Sequence, residues 1–160
     1  MGAGKSTIGL LLSKELNTPF YDIDKVIEQR AGANIPWIFD IEGEEGFRLR
    51  EEQVIEEVTQ YSPAIVATGG GAVLSLQNRS KLSARGLVIY LKTTVEQQLE
   101  RTSKDKNRPL LQAESPKKIL TELMTKREPL YNQVCDLTIP TDKRHPKAVV
   151  AEIIKKIKEI

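Results

Sequence analysis

The sequence predicts an α/β fold in three layers, a parallel sheet flanked by helices on both faces, and three observations carry that prediction. A phosphate-loop ending, Gly2-Ala3-Gly4-Lys5-Ser6-Thr7, runs straight into a helical repeat of Ile8, Leu11, Leu12 and Leu16. The run 64–68 is uncharged and rich in β-branched residues, as is 87–91, which is the pattern of strands buried on both faces. Strand-like and helix-like stretches then alternate along the chain, and that alternation requires parallel pairing with crossover helices.

In chain order, the glycine loop opens the first helix. Pro19-Phe20-Tyr21-Asp22-Ile23-Asp24 reads as a short strand ending in two carboxylates, with Asp24 free to cap the helix of Val26, Ile27 and Arg30, which stops at Gly32. A helix-rich stretch is expected over 36–58, where Trp37, Ile38 and Phe39 lead into Phe47, Leu49, Val54, Ile55 and Val58 under a dense acidic face. The strand 64–68 ends in Gly69-Gly70-Gly71. A helix over 76–84 leads to the strand 87–91, after which Thr93-Thr94-Val95-Glu96 offers a capping box for a helix through Leu99 and Arg101. The segment 102–114, polar around Arg108-Pro109-Leu110-Leu111, has the length of a mobile lid. Ser115-Pro116 starts a helix reaching Arg127 near Pro129, and a last strand at 137–139 precedes a terminal helix.

Composition excludes several functions. With 160 residues the chain is one domain, 1–160, large enough for its own core. Twenty-four basic residues against 22 acidic ones argue against nucleic acid as a partner, and Lys155, Lys156 and Lys158 alternate with isoleucines as the wet face of a helix. Cys135 and His145 are the only residues of their kinds, so neither a disulfide framework nor a Cys/His zinc site can be assembled. No leader-like run follows Met1 and no apolar span reaches membrane length, so the expectation is a cytoplasmic protein with no membrane partner. Met1-Gly2 with Ser6 also fits a myristoylation pattern, but no second lipid signal supports an anchor.

Ligands of open parallel sheets bind at the carboxyl ends of strands. There Gly2, Ala3, Gly4, Lys5, Ser6 and Thr7 form a nucleotide-phosphate cradle, with Lys5 on the γ-phosphoryl and Ser6 on Mg²⁺. Asp22 and Asp24 alternate at a strand end, so one can face the metal, directly or through water, while the other takes a proton from an acceptor hydroxyl. Gly69, Gly70 and Gly71 let backbone N–H groups approach a ligand. Arg48 sits among Glu44, Glu45, Glu51 and Glu52, which makes local ion pairing its alternative; together with Arg127 near Asp24 it would clamp a carboxylate. Arg108 in the lid could close onto the phosphates.

Six motifs, Gly2-Ala3-Gly4-Lys5-Ser6-Thr7, Tyr21-Asp22-Ile23-Asp24, Gly46-Phe47-Arg48-x-x-Glu51, Ala67-Thr68-Gly69-Gly70-Gly71, Arg108-Pro109-Leu110-Leu111 and Arg127-x-Pro129-Leu130-Tyr131, together resemble the shikimate kinase family across essentially the whole chain. The resemblance implies a P-loop kinase fold like that of the nucleoside monophosphate kinases, and transfer of a phosphoryl group from ATP to the 3-hydroxyl of shikimate in chorismate and aromatic amino-acid biosynthesis. It implies Asp24 as ligand and candidate base for the hydroxyl, Arg48, Gly70 and Arg127 as further shikimate contacts, a substrate-binding helical region at 24–58, and Arg108 as the lid arginine. Arg101 and the stretch 144–146, with Arg144, resemble adenine-side contacts. Trp37 and Phe47 either line the substrate region or belong to the core. A monomer is expected by the same resemblance.

One departure stands at the front. The family's first strand, central in the sheet, and the first glycine of its phosphate loop have no counterpart here, so the functional chain is expected to begin roughly ten residues earlier. Against the shikimate reading stand a kinase for another polyol acid such as gluconate or for a nucleotide, and an inactive nucleotide-binding module. A GTPase switch is disfavoured, because the sequence has no Asn-Lys-x-Asp base-reading motif.

Overall fold

The computed structural model describes residues 2–103 and 115–160. Helix α1 (Lys5–Leu16) leads to β1 (Phe20–Asp22), α2 (Ile23–Ala31), α3 (Ile35–Val58), β2 (Ile65–Ala67), a 3-10 turn at Ala72–Leu74, α4 (Leu76–Arg85), β3 (Ile89–Lys92), α5 (Val95–Thr102), α6 (Pro116–Val134), β4 (Leu137–Pro140) and α7 (Pro146–Lys158). Strand pairing is parallel throughout, as expected, with Phe20 opposite Ile65 and Ile89 opposite Leu137 opening the two registers. The strands form two separate two-stranded sheets, β1-β2 and β3-β4, and no described strand joins β2 to β3.

Two apolar clusters lie on opposite faces. Ile8 and Leu12 of α1 pack with Ile139 and with Val149, Val150 and Ile153 of α7, while Ile23, Ile27, Ile38, Phe47, Val54, Ile55, Val58 and Ala72 form the other cluster. Strand alternation divides neighbours between them, since Ile65, Ile89 and Leu91 join the α1/α7 side and Val66 joins the α3 side. Tyr90 turns towards α6 and stacks on Tyr131, ring centroids 4.8 Å apart. Phe47 is core, whereas Trp37 is 52% exposed.

Several element boundaries correct the sequence reading. The first carboxylate strand stops at Asp22 because Asp22 itself caps α2, its Oδ1 accepting from the backbone N–H of Asp24 (3.1 Å) and Lys25 (3.4 Å). Asp24, expected to be the cap, therefore lies in the first helical turn. The cap of α5 is Thr94 rather than Thr93, with Thr94 Oγ1 accepting from Gln97 N (3.3 Å); Thr93 Oγ1 instead donates to Asp142 Oδ1 (2.6 Å). Helix α6 runs through Pro129 to Val134. Proline removes only the bond to the Thr125 carbonyl, and burial of Val134 with the Tyr131 contacts outweighs that loss. Gly43, at φ 72° and ψ 177°, breaks α3 into two helical halves.

Helices α2 and α3 are tied by Arg30, Glu57 and Tyr61. Arg30 donates to Glu57 (2.7 Å), the Tyr61 hydroxyl also reaches that carboxylate, and together they hold the Glu57 carboxyl down to about 2. A carboxyl depressed in the fold stabilises it fully above the ordinary glutamate range and loses that contribution as pH falls towards 2. Glu57→Gln is therefore expected to flatten the acid limb of stability between about pH 4.5 and pH 2. Urea midpoints across that range check it. The difference should shrink in 1 M salt, because both partners are exposed.

Candidate active site

The site begins at the N-terminus of α1. Gly4 holds φ 83°, a left-handed turn that swings the chain into the helix, and no side chain caps the first-turn N–H groups. Those donors and the helix dipole suit an anion. Ser6 Oγ, next along, donates to Asp22 Oδ2 at 2.6 Å, so the hydroxyl and carboxylate assigned to a metal from sequence are adjacent in space. Arg101 reaches back to the loop, donating to the Gly2 carbonyl (2.8 Å) and, through its second terminal nitrogen, to the Thr141 carbonyl (3.0 Å). Arg144 is turned onto its own segment, bonded to the Pro140 carbonyl (2.9 Å) and to Glu152 (2.7 Å).

A second cluster gathers around the glycine triplet. A Cβ on Gly69 would meet Glu51 Oε2 at 3.1 Å and Asp24 Oδ1 at 3.3 Å, so both carboxylates press against that backbone. A Cβ on Gly71 would land on the Arg48 guanidinium, so a side chain there would push Arg48 out of its present position. Arg48 Nη1 donates to Glu51 Oε1 (3.0 Å) and Nη2 to Glu44 Oε1 (3.3 Å). The local ion pairs weighed from sequence thus exist, and they aim the guanidinium at the triplet instead of removing it. Gly70 is held by Tyr131, whose hydroxyl donates to the Gly70 carbonyl at 2.6 Å and accepts from Arg127.

Arg127 is 3% exposed, and its Nε is buried without a partner. Burial first, and the positive charge of nearby Arg48 second among the lowering influences, push its pKa below the usual guanidinium value. Two guanidinium groups close together, one of them buried, favour an anion between them. Glu51 is 1% exposed with Oε2 unpartnered, and burial pushes its carboxyl up against the opposing pull of Arg48. Asp24 and Lys5 both interact with neighbouring groups. Arg108 and the rest of the expected lid from residue 104 lie outside the described residues.

Glu51 and Tyr131 were quoted in motifs yet assigned no role from sequence. A glutamate three residues after an arginine reads as an ordinary surface pair. The signal that could have found it is spacing: Glu51 falls on the stripe Phe47, Val54, Ile55 and Val58, which is otherwise wholly apolar. Because its folded pKa is raised, protonation favours the fold; that contribution is complete below the ordinary glutamate range and is lost as pH rises through the shifted value. Glu51→Gln is expected to retain or gain stability at pH 8 relative to pH 4 when both proteins are compared by urea melts. The same change should raise the KM of the acceptor about tenfold, as Arg48 loses its charged partner.

A glycine loop at a helix N-terminus, a serine–aspartate pair beside it, and a carboxylate-and-arginine cluster across the ends of parallel strands define a P-loop phosphotransferase with an anionic small-molecule acceptor. Comparison with known proteins gives the particular family. The family model for shikimate kinase matches residues 1–158. Shikimate kinase of Haemophilus influenzae (strain PittEE) is 57% identical over 155 residues, 96% of this chain and 86% of that protein. The Vibrio parahaemolyticus enzyme is 54% identical over 99% of this chain and 92% of its own length. Among solved structures, shikimate kinase from Acinetobacter baumannii in complex with shikimate superposes with a TM-score of 0.98 at 47% identity, covering 99% of this chain and 89% of that one. That from Aquifex aeolicus gives 0.84 at 34%, covering 99% and 92%. The chain belongs to the shikimate kinase family, and it is a kinase.

Proposed function

We propose that this enzyme transfers the γ-phosphoryl group of ATP to the 3-hydroxyl of shikimate, forming shikimate 3-phosphate for chorismate and aromatic amino-acid biosynthesis. The observation that carries the reading is the buried Arg127, with an unpartnered Nε, beside Arg48 and across Gly69–Gly71 from Asp24 and Glu51. A ring acid needs that combination: two guanidinium groups for its carboxylate and carboxylate acceptors for its hydroxyls. Gly69, Gly70 and Gly71 lie against the ring. In the transfer, the acceptor oxygen bonds to the γ-phosphorus, the bond from phosphorus to the β,γ-bridging oxygen breaks, ADP leaves, and the hydroxyl proton passes to Asp24.

Lys5 neutralises charge on the moving phosphoryl group, and backbone N–H groups at residues 2–7 hold the chain of phosphates. Arg101 and Arg144 flank the adenine, and Arg108 closes from the lid segment 102–114. Residues 24–58 serve as the substrate-binding region. Ser6 Oγ and Asp22, 2.6 Å apart, are two hard oxygen donors that fit Mg²⁺; the described residues contain no cluster of three acidic, histidine or cysteine ligands, which suits an ion held mainly by nucleotide phosphates and water. When bound, Mg²⁺ supplies positive charge to the phosphate oxygens. No helix of the described residues is long and apolar enough to cross a membrane. A cytoplasmic monomer is the setting proposed.

A coupled ADP-release assay across shikimate, gluconate and nucleoside monophosphates, with and without Mg²⁺, tests the reading. Turnover with shikimate alone, dependent on the metal, is expected. Activity confined to gluconate or to nucleotides, or ATP binding without transfer to any of them, overturns it.

A further inference from the structure

Each carbonyl of the glycine triplet has a donor. Gly69 O accepts from Ala72 N (3.1 Å) and Gly71 O from Leu74 N (3.1 Å), both within the 3-10 turn that follows, whereas Gly70 O is taken by a side chain, the Tyr131 hydroxyl, at 2.6 Å. Local backbone thus fixes the peptides on either side, and Tyr131 fixes the one between Gly70 and Gly71. A peptide flanked by glycines rotates readily without such an anchor. The same hydroxyl meets the Arg127 guanidinium, which lies one helical turn earlier on α6. Pro129 falls between them, and because α6 runs on through it the two side chains stay on one face. The phenol ring is itself held, stacked on Tyr90 with centroids 4.8 Å apart and planes at 31°.

We propose that Tyr131 is a positioning residue for the acceptor site, its hydroxyl joining Arg127 to the Gly70–Gly71 peptide so that both are presented in one geometry. This role rests on the reading above, in which Arg127 and Gly70 contact the acceptor. A phenol has one proton, a guanidinium only donates and a carbonyl only accepts, so the relay runs one way, from Arg127 to Tyr131 to Gly70. That direction puts the charge of Arg127 behind the bond to Gly70, strengthening it and polarising the peptide that carries the Gly71 N–H. It also anchors a guanidinium whose Nε has no partner. Arg48, the other half of the clamp, is aimed by the carboxylates of Glu44 and Glu51. A carboxylate on Arg127 as well would cancel the charge that an anionic acceptor needs, whereas a neutral phenol orients the group and leaves its charge in place.

Tyr131→Phe keeps the ring and its stack on Tyr90 while removing the relay. The expected result is a KM for shikimate raised about tenfold, with kcat within about threefold of the unaltered protein and the KM of ATP unchanged. In an Arg127→Met background the same substitution should lower kcat/KM at least about threefold less than it does alone, because much of its effect passes through Arg127. In the protein without ligands, the terminal guanidinium nitrogens of Arg127, assigned by the loss of their signals in Arg127→Met, should give separate ¹⁵N resonances that merge in Tyr131→Phe as rotation about the Nε–Cζ bond is freed. An unchanged KM for shikimate, an undiminished effect in the Arg127→Met background, or Arg127 resonances that are the same with Tyr and Phe at 131 overturns the proposal. Turnover of some other acceptor in place of shikimate defeats the acceptor reading by itself; the Arg127 resonances, which need no acceptor, then decide the role of Tyr131.

Discussion

Arg127→Met is expected to lower kcat/KM for shikimate by about two orders of magnitude or more, leave the KM of ATP unchanged, and keep the thermal midpoint at or above that of the unaltered protein. The two halves of this outcome have one cause. Arg127 is buried with an unpartnered nitrogen and faces a second guanidinium, so without the acceptor it costs the fold more than it contributes. A methionine of similar length fills the space without the charge. With the acceptor bound, the same guanidinium makes charge-assisted hydrogen bonds of about 1.5 to 3 kcal/mol each, and a fork of two accounts for a hundredfold loss when removed. Arg127→Lys should recover little, because an ammonium is a point charge that does not hold a carboxylate in one orientation. Steady-state kinetics with each substrate varied, and thermal melts without ligand, check it. A midpoint several degrees lower, with the shikimate KM unchanged, would mean that Arg127 is a structural ion.

Asp24→Asn is expected to lower kcat by about 10²- to 10⁴-fold with little change in the KM of shikimate. The substitution preserves size and leaves the cap of α2 untouched, since that cap is Asp22. It removes the negative charge and with it the capacity to take the proton, so the acidic limb of the pH–rate profile should vanish with the rate. Loss of that limb with most of the rate retained would make Asp24 a group that orients the hydroxyl.

Which parts of the molecule could be read from the letters follows from the range of the interactions involved. The phosphate loop is a local device, a few glycines opening onto a helix, and Gly4, Lys5 and Ser6 stand at the start of α1 as expected. The strands at 65–67 and 89–92 were equally legible, because each lies in or overlaps an uncharged, largely apolar run. Cap positions were less so: Asp22 or Asp24, and Thr93 or Thr94, differ only in which carboxylate or hydroxyl reaches an N–H group. Pro129 misleads for a related reason, since whether a proline ends a helix depends on what the next turn packs against. Glu51 and Tyr131 were invisible as site residues because their partners, Asp24, Gly69 and Gly70, are distant in sequence. The same holds for Arg101, whose bond to Gly2 spans 99 positions.

Trp37, exposed near the start of α3, is the one tryptophan of the chain. It lies within residues 24–58 and outside the carboxylate and arginine cluster, so excitation at the red edge of protein absorption reports on that region alone. Its emission in the free protein should be that of a hydrated indole, readily quenched by iodide. Any change when the acceptor binds is then an optical record of the helical half before Gly43 changing its surroundings, obtained without attaching a dye.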